Sequence, residues 1–457
     1  MYAVKENMRN KYLYFNQNVE IEYQPDNMVL LKVKGIDSKF GNGKYMINQI
    51  GAEILLLIDG TRTYKEIIEY LSKKYGEENS SIEKKIEPFF TKIKDKYKLE
   101  ILEGDKTSRK IEVKYNNNNY PRVATIELTN ACNLKCIHCY GSFGEDNVIM
   151  PLDKVYKLLS ELNEMGVVVI ELTGGEITMH PDLNKIIRYA LSLDFNRISM
   201  LTNGVLLLPE TIDLIIENKK RIYVQIDFQS FDDKYLEWFT KKKNTLNIIS
   251  KNIEILAANE VPMRIATMVT RKNLGELEKI SEWIHQLGIK QWGLGLVMAL
   301  GRAKERDSDL LFADDENPEF VDIINKTDKK YPGLISYIDD SRTNRTNCGA
   351  ISSHIVIACD GNTKICAMDT GNYFNSGIGN VLITNLKTLY GDNKDFVHGF
   401  SQIKAPSYDS ESCRECKNKY FCHGCILRGV LSAKEFKEEC RWYTEQIDKK
   451  IKAKFGI

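Results

Sequence analysis

From Pro121 onward the sequence predicts an α/β fold built on a parallel sheet. Six apolar runs of strand length, at 123–128, 167–172, 197–201, 222–228, 263–269 and 291–296, follow one another along the chain. Amphipathic stretches of helical period, such as 152–165 and 273–287, separate them. The residues with chemistry to offer come directly after the strands: a cysteine triplet after the first, Thr173-Gly174-Gly175-Glu176 after the second, Thr202-Asn203-Gly204 after the third. In strand–helix folds the C-terminal ends of the strands are where sites assemble.

A chain of 457 residues exceeds one ordinary core, so two to four domains are expected. Residues 1–105 read as a small α+β domain and 106–120 as a polar linker ending in an asparagine run. The strand–helix region spans 121–310, and 311–345 is a charged connector. Residues 346–445 hold most of the cysteines, and 446–457 form a tail. The net charge of +1 gives no overall pull toward nucleic acid or an anionic membrane. No apolar run approaches the roughly 20 residues of a membrane span, and residues 1–9 contain no hydrophobic signal region. The 11 cysteines fall in metal-cluster spacings rather than a secreted disulfide framework, which predicts a reducing, cytoplasmic setting.

In the first domain residues 19–23 alternate as a half-buried strand, and 28–33 make a second, antiparallel to it. A helix with Ile50, Ile54, Leu57 and Ile58 on one face stops at Asp59-Gly60. Thr63 and Glu66 form a capping box opening a helix with Ile67, Ile68 and Leu71 inside. A third helix carries Ile82, Ile86, Phe89 and Ile93. A winged helix that binds DNA shares this order, but Lys65, Glu66, Glu69 and Lys73 alternate in sign, unlike a basic recognition helix.

Cys132, Cys136 and Cys139 stand in the spacing Cys-x3-Cys-x2-Cys, followed by Tyr140. Three thiolates leave one iron of a four-iron cubane without a protein ligand, whereas an electron-transfer ferredoxin supplies four. Structural zinc needs a fourth ligand, and His138 between Ile137 and Cys139 is poorly placed to be one. Together with Gly174-Gly175-Glu176, the triplet resembles the radical S-adenosylmethionine enzymes, which implies a partial (β/α)6 barrel, a [4Fe-4S] cluster and bound S-adenosylmethionine. The resemblance places Tyr140, Gly174, Gly175, Glu176 and Asn203 around that cofactor, with Glu176 accepting from the methionine ammonium. On the fourth strand the family often has Ser-Leu-Asp, where this chain has Asp227-Phe228-Gln229; Asp227 is the expected ribose acceptor. Gly301-Arg302-Ala303 also matches, and Arg302 is expected at the cofactor carboxylate or on the surface.

Eight cysteines remain. Cys348, Cys366 (beyond the Asp360-Gly361-Asn362 turn), Cys413, Cys416, Cys422, Cys425 and Cys440 resemble the SPASM extension of radical enzymes, with one residue fewer before Cys425. That pattern implies two auxiliary [4Fe-4S] clusters, three in all. Cys413, Cys416, Cys422 and Cys440 would hold one, and Cys348, Cys366 and Cys425 the other, a ligand short. A zinc ribbon from Cys413, Cys416, Cys422 and Cys425 has acceptable spacing too. Cys359, at the start of the turn, reads as a small buried hydrophobe rather than the missing ligand.

The first domain resembles the leader-recognition domain known from the pyrroloquinoline-quinone chaperone. The three modules together resemble thioether-forming maturases of ribosomally made peptides, the sactipeptide and ranthipeptide synthases. The expected partners are a precursor peptide and a flavodoxin- or ferredoxin-type reductant, with neither nucleic acid nor a membrane span. The alternatives are a maturase making a carbon–carbon or carbon–oxygen link, a leader-binding chaperone with degenerate clusters, and a redox-sensing DNA regulator.

Overall fold

In the computed structural model, residues 9–25, 29–34, 43–117, 119–304, 310, 318–337, 347–369, 377–435 and 440–455 are described. They form two compact units, one built on residues up to Asn119 and the other from Tyr120 onward.

The first unit has strands β1 (Tyr12–Phe15), β2 (Asn18–Tyr23), β3 (Val29–Lys34) and β4 (Lys44–Ile47), then helix α1 (Gln49–Leu57) and strand β5 (Asp59–Thr63). Helices α2 (Tyr64–Tyr75) and α3 (Asn79–Asp95) and strands β6 (Ile101–Gly104) and β7 (Glu112–Tyr115) complete it. The capping box is present: Thr63 accepts from Glu66 N, and Glu66 reaches back to the Thr63 backbone. Ile54, Leu57, Ile67, Ile68, Leu71, Ile82, Ile86 and Ile93 enter one core. Two expectations shift by a residue or a face. Ile50 is 50 % exposed, because it lies in the first turn of α1, ahead of the core stripe. In α3 it is Phe90 that is buried, edge-on to Tyr64, while Phe89 packs at the margin.

A larger difference concerns the polar linker. Residues 112–115 form β7, which pairs parallel to β2 and completes a sheet in the order β4-β3-β2-β7. All four residues are exposed, so apolar burial does not hold it. Backbone pairing does, with Tyr115 stacked on Tyr23 and Lys114 bonded to Glu20 at 2.8 Å. The alternation expected for β2 is also hidden, since Glu20 and Glu22 are buried along with Val19 and Ile21. Burial pushes the two carboxyls up, but bonds from Lys32 to both and from Lys114 to Glu20 bring them below the ordinary range.

The second unit carries the parallel sheet. Strand β8 (Val123–Thr129) leads to α4 (Leu152–Glu164), β9 (Val169–Gly174), α5 (Leu183–Ser192), β10 (Arg197–Thr202) and α6 (Pro209–Glu217). Then come β11 (Ile222–Asp227), α7 (Asp233–Thr240), α8 (Leu246–Ala258), β12 (Met263–Val269), α9 (Leu277–Gln286) and β13 (Gln291–Leu296). These six strands coincide with the six apolar runs to within two residues at either end. The charged connector contains α10 (Pro318–Lys330) and β14 (Ile335–Tyr337), which extends the sheet beside β13; residues 311–317 and 338–345 lie outside the described residues. At the other edge β15 (His354–Ile357) adds parallel to β8 and turns back as β16 (Thr363–Lys364). The sheet thus runs β14-β13-β12-β11-β10-β9-β8-β15-β16.

β8 and β13 are five strands apart, yet the loop after β8 bonds to the segment after β13, Arg302 N donating to Cys139 O at 3.0 Å. The six-stranded core must therefore curl, bringing the C-terminal ends of its strands around one space. Even-numbered residues of β8 (Ala124, Ile126, Leu128) are buried against the helices, and Thr125, Glu127 and Thr129 alternate with them on the concave side. No described helix is long and apolar enough to cross a membrane.

Candidate active site

The cysteine triplet lies on a loop that leaves β8 and returns to it. Its neck is Asn130, whose carbonyl accepts from Gly144 N (2.8 Å) and whose side chain accepts from Val148 N (2.7 Å). Ile137 is the anchor: it is buried among Tyr235, Leu236, Phe239 and Val297. His138 stacks on Phe239 with ring centroids 4.3 Å apart. Burial, helped by the Arg302 charge, lowers its pKa to about 4, so the ring is neutral and serves as packing. The three cysteines keep accessible surface beside this anchored stretch.

Two glycine steps bring neighbouring segments against the loop. A side chain on Gly174 (φ +133°) would overlap the Thr129 carbonyl, and one on Gly175 the carbonyls of Asn130 and Ala131. Without side chains there, Gly175 N and Glu176 N donate to Thr129 O and Ala131 O at 2.7 and 2.9 Å. Gly301 (φ +50°) approaches the Cys139 and Tyr140 carbonyls in the same way. Arg302 then donates from Nε to Cys136 O (2.8 Å) and from Nη1 to Phe143 O (3.0 Å). The guanidinium is spent on the loop backbone, so its place is as a clasp for the cysteine loop rather than on the open surface.

Glu176 is 1 % exposed. Its Oε1 accepts from Thr178 N (3.1 Å), Thr178 Oγ1 (2.9 Å) and Thr202 Oγ1 (2.6 Å), and its Oε2 from Asn203 N (2.7 Å). Burial still raises its carboxyl above the ordinary value. Only Oε2 retains capacity for another donor, which suits a cation arriving from one side. Asn203 Nδ2 donates to Asn133 Oδ1 at 2.8 Å beside Cys132.

Cys366, Tyr140 and Asp227 are half-buried, and Tyr140 has both of the others among its charged neighbours. The charged neighbours of Tyr140 are Glu127, Cys139, Cys366 and Asp227, which sets its ring between the loop and the C-terminal cysteines. The Asp227 side chain makes no hydrogen bond among the described residues; burial, and then the Glu176 charge, push it up to about 7. Native protein therefore binds its proton more tightly than unfolded chain does, and stability falls as pH rises from about 4 through 7. In metal-free protein, Asp227→Asn is expected to melt several degrees above the parent at pH 8, with the gap closing toward pH 4. A gap that does not depend on pH would contradict this.

The C-terminal cysteines gather in two sets. Burial pushes Cys366 up to about 12, with Cys425 and Cys348 as its thiol neighbours. Cys422 is likewise pushed up to about 12 by burial, with Cys440, Cys416 and Cys413 beside it. The turn that returns Cys366 is built as its sequence implies, with Gly361 at φ +85° and Asn362 N bonded to Asp360 Oδ1 at 3.0 Å. Cys359 stands apart, buried, with Glu127, Asp360 and Lys364 as its charged neighbours. Thiols held up in this way, as Cys366 and Cys422 are by burial and by their thiol neighbours, suit a cationic core, which supplies the charge that ionises them. Among the described residues no three His, Cys, Asp or Glu side chains close to single-ion spacing. The sulfurs around a cubane stand further apart than that.

The concave side also carries groups that the motifs do not reveal. Glu127 is buried and takes both of its bonds, each 2.8 Å, from Lys364 of β16. Thr125 Oγ1 lies 2.7 Å from both Glu171 Oε2 and His354 Nε2. The signal for Thr125 and Glu127 was present: polar residues at 125, 127 and 129, inside an otherwise apolar strand.

Residues 126–284 match the model of the Radical SAM superfamily, and residues 27–97 that of coenzyme PQQ synthesis protein D (PqqD). The chain is similar to the antilisterial bacteriocin subtilosin biosynthesis protein AlbA of Bacillus subtilis, at 27 % identity over 96 % of this chain and 95 % of that protein. It is also similar to the sporulation killing factor maturation protein SkfB of the same organism, at 28 % identity over 40 % of this chain and 45 % of that one. Streptococcus suis SuiB, solved with S-adenosylmethionine, shares the fold with a TM-score of 0.59 at 13 % identity, over 94 % of this chain and 98 % of that one. The curled parallel sheet, the glycine-clasped cysteine loop and these matches together show a Radical SAM domain at residues 126–284, and the second match shows a PqqD domain at residues 27–97.

Proposed function

We propose that the protein is a radical S-adenosylmethionine maturase of a ribosomally made peptide, and that it joins a cysteine sulfur to a carbon of another residue. One observation carries the reading: two three-cysteine sets, Cys132/Cys136/Cys139 and Cys348/Cys366/Cys425, approach one residue, Tyr140, which has Cys139 of the first and Cys366 of the second among its charged neighbours. Each set suits a [4Fe-4S] cluster with one iron open. Cys413, Cys416, Cys422 and Cys440 suit a fully ligated third, as in a SPASM extension. The PqqD match and the relatives that act in bacteriocin and killing-factor biosynthesis support a peptide substrate.

When bound, the first cluster and S-adenosylmethionine supply a carbon-centred radical that removes a hydrogen atom from the substrate. The chain's own residues hold and shield. Gly174 and Gly175 bring backbone against the loop, and Glu176 Oε2 offers an acceptor to the methionine ammonium. Asn203, Tyr140 and Asp227 line the nucleoside side, Asp227 as an unpartnered acceptor for ribose hydroxyls. Arg302 fixes the loop so that the reacting groups are held at near-attack distance. At the second set the missing ligand leaves a position for a peptide thiolate, which a metal keeps deprotonated.

In the first unit the four-stranded sheet ends in β4 on one side and β7 on the other, and an edge of this kind is where the precursor's leader would join by strand addition. The test of the bond type is mass spectrometry of precursor treated with the reduced, cluster-loaded enzyme. The expected product loses two hydrogen atoms per link, and the joined cysteine no longer reacts with iodoacetamide. Loss of two hydrogens with every thiol still alkylated would mean a carbon–carbon or carbon–oxygen link instead.

A further inference from the structure

We propose that Lys241, Lys242 and Lys243, with Lys135, form the docking surface for a small acidic electron-carrier protein that reduces the cluster of Cys132, Cys136 and Cys139. The inference rests on the radical reading above and names a partner for it.

The three lysines follow α7 directly, in the stretch that grips the cysteine loop. Lys135 N donates to Thr240 O at 3.0 Å and Ile137 N to Phe239 O at 2.9 Å, so the backbone flanking Cys136 is bonded to the residues just ahead of the lysines. Lys242 Nζ reaches the Asn133 carbonyl at 3.5 Å, and Lys135 Nζ the Gly144 carbonyl. Lys241 holds a left-handed conformation, φ +59°, which ends the helix and turns the chain outward, leaving Lys241 and Lys243 exposed. Lys272 lies over the Trp238 ring at 5.2 Å and continues the basic surface.

The charge count around the loop is one-sided. Along residues 132–148, 233–243 and 270–273, Lys135, Lys234, Lys241, Lys242, Lys243, Arg271 and Lys272 stand against Glu145, Asp146, Asp233 and Glu237, seven basic residues to four acidic ones. Glu237 pairs with Lys243 at 3.5 Å, and Glu145 with Arg302 at 3.7 Å. In a chain whose total charge is +1, this is a local excess rather than a general basicity.

Its position decides what the excess is for. Ile137 packs on Tyr235, Leu236 and Phe239 of α7, whereas Tyr140 has Cys139, Cys366 and Asp227 as its neighbours, so the lysines adjoin the loop from the α7 side and not from the side of Cys366. A carrier seated there comes within a residue or two of the cysteine ligands without entering the space kept for peptide and cofactor. The carrier loses one electron, the cluster gains one, and no proton or group need move. An acidic surface on the carrier is steered to such a patch, and salt weakens the steering.

The experiment uses cluster-loaded, full-length enzyme and follows S-adenosylmethionine cleavage with two reductants, a reduced acidic flavodoxin and dithionite. The flavodoxin-driven rate of the parent is expected to fall at least about tenfold between roughly 0.05 and 0.5 M NaCl, as screening removes the steering. The dithionite-driven rate should stay nearly constant. Lys241→Glu/Lys243→Glu is expected to lose at least about tenfold in flavodoxin-driven kcat/KM and nothing with dithionite, and Lys241→Arg/Lys243→Arg should behave as the parent. A flavodoxin rate indifferent to salt, or equal losses with both reductants, would overturn the docking surface. Absence of cleavage with dithionite in the parent would instead overturn the radical reading itself.

Discussion

Replacing Cys132, Cys136 and Cys139 together with alanine is expected to abolish S-adenosylmethionine cleavage, a loss of at least about 10³-fold set by the assay floor. The remaining clusters should survive. Iron in anaerobically reconstituted protein should fall from about twelve to about eight per chain, one cubane's worth. The reason lies in how the loop is held. Asn130, Ile137, Glu176 and Arg302 fix its backbone through bonds that need no iron, so removing the thiols takes away the ligands and leaves the fold. Cys359→Ala is the control. Its charged neighbours are Glu127, Asp360 and Lys364, and the variant should keep all twelve irons and full activity. Parent iron near four per chain, or stoichiometric zinc, would defeat the three-cluster reading.

Removing residues 1–119 is expected to leave slow cleavage of S-adenosylmethionine while peptide modification falls by at least about 10²-fold, the range over which a tethered site raises effective concentration. The first unit has its own core of two sheets and three helices, and the cysteine loop, Glu176 and Asp227 all belong to the second. Truncation should therefore separate recognition from chemistry rather than unfold both. Mass spectrometry of a full-length precursor supplies the measure; modification at the parent rate would remove the leader-binding role from this unit.

The two units were not equally legible. β8 to β13 could be read because each is long, apolar and set apart by helical stretches, so burial alone defines it. β7 could not, because its residues are all exposed, Tyr115 by 78 %, and it is held by pairing and one stacked ring. Glu20 and Glu22 obscure β2 for a related reason: lysines on neighbouring strands cover them, and a single sequence does not show which strands those are. In the site, motif residues were visible through spacing, since a cysteine loop and a glycine step are local. The Glu127–Lys364 pair spans 237 positions, and nothing in either neighbourhood announces the other. Arg302 was visible as a residue but not as a clasp, because its partners are carbonyls, which have no sequence identity.

β15 lies in register against β8, His354 opposite Val123 and Ile357 opposite Ile126. The strand that bears the first cysteine loop thus takes its outer hydrogen bonds from the segment between Cys348 and Cys359. A bare sheet edge is a template for aggregation, and a chain ending before this segment would carry one on the very strand that launches the radical loop. The C-terminal cysteine-rich region is therefore no appendage. It closes the sheet, and its strand would be needed there whether or not its cysteines hold iron.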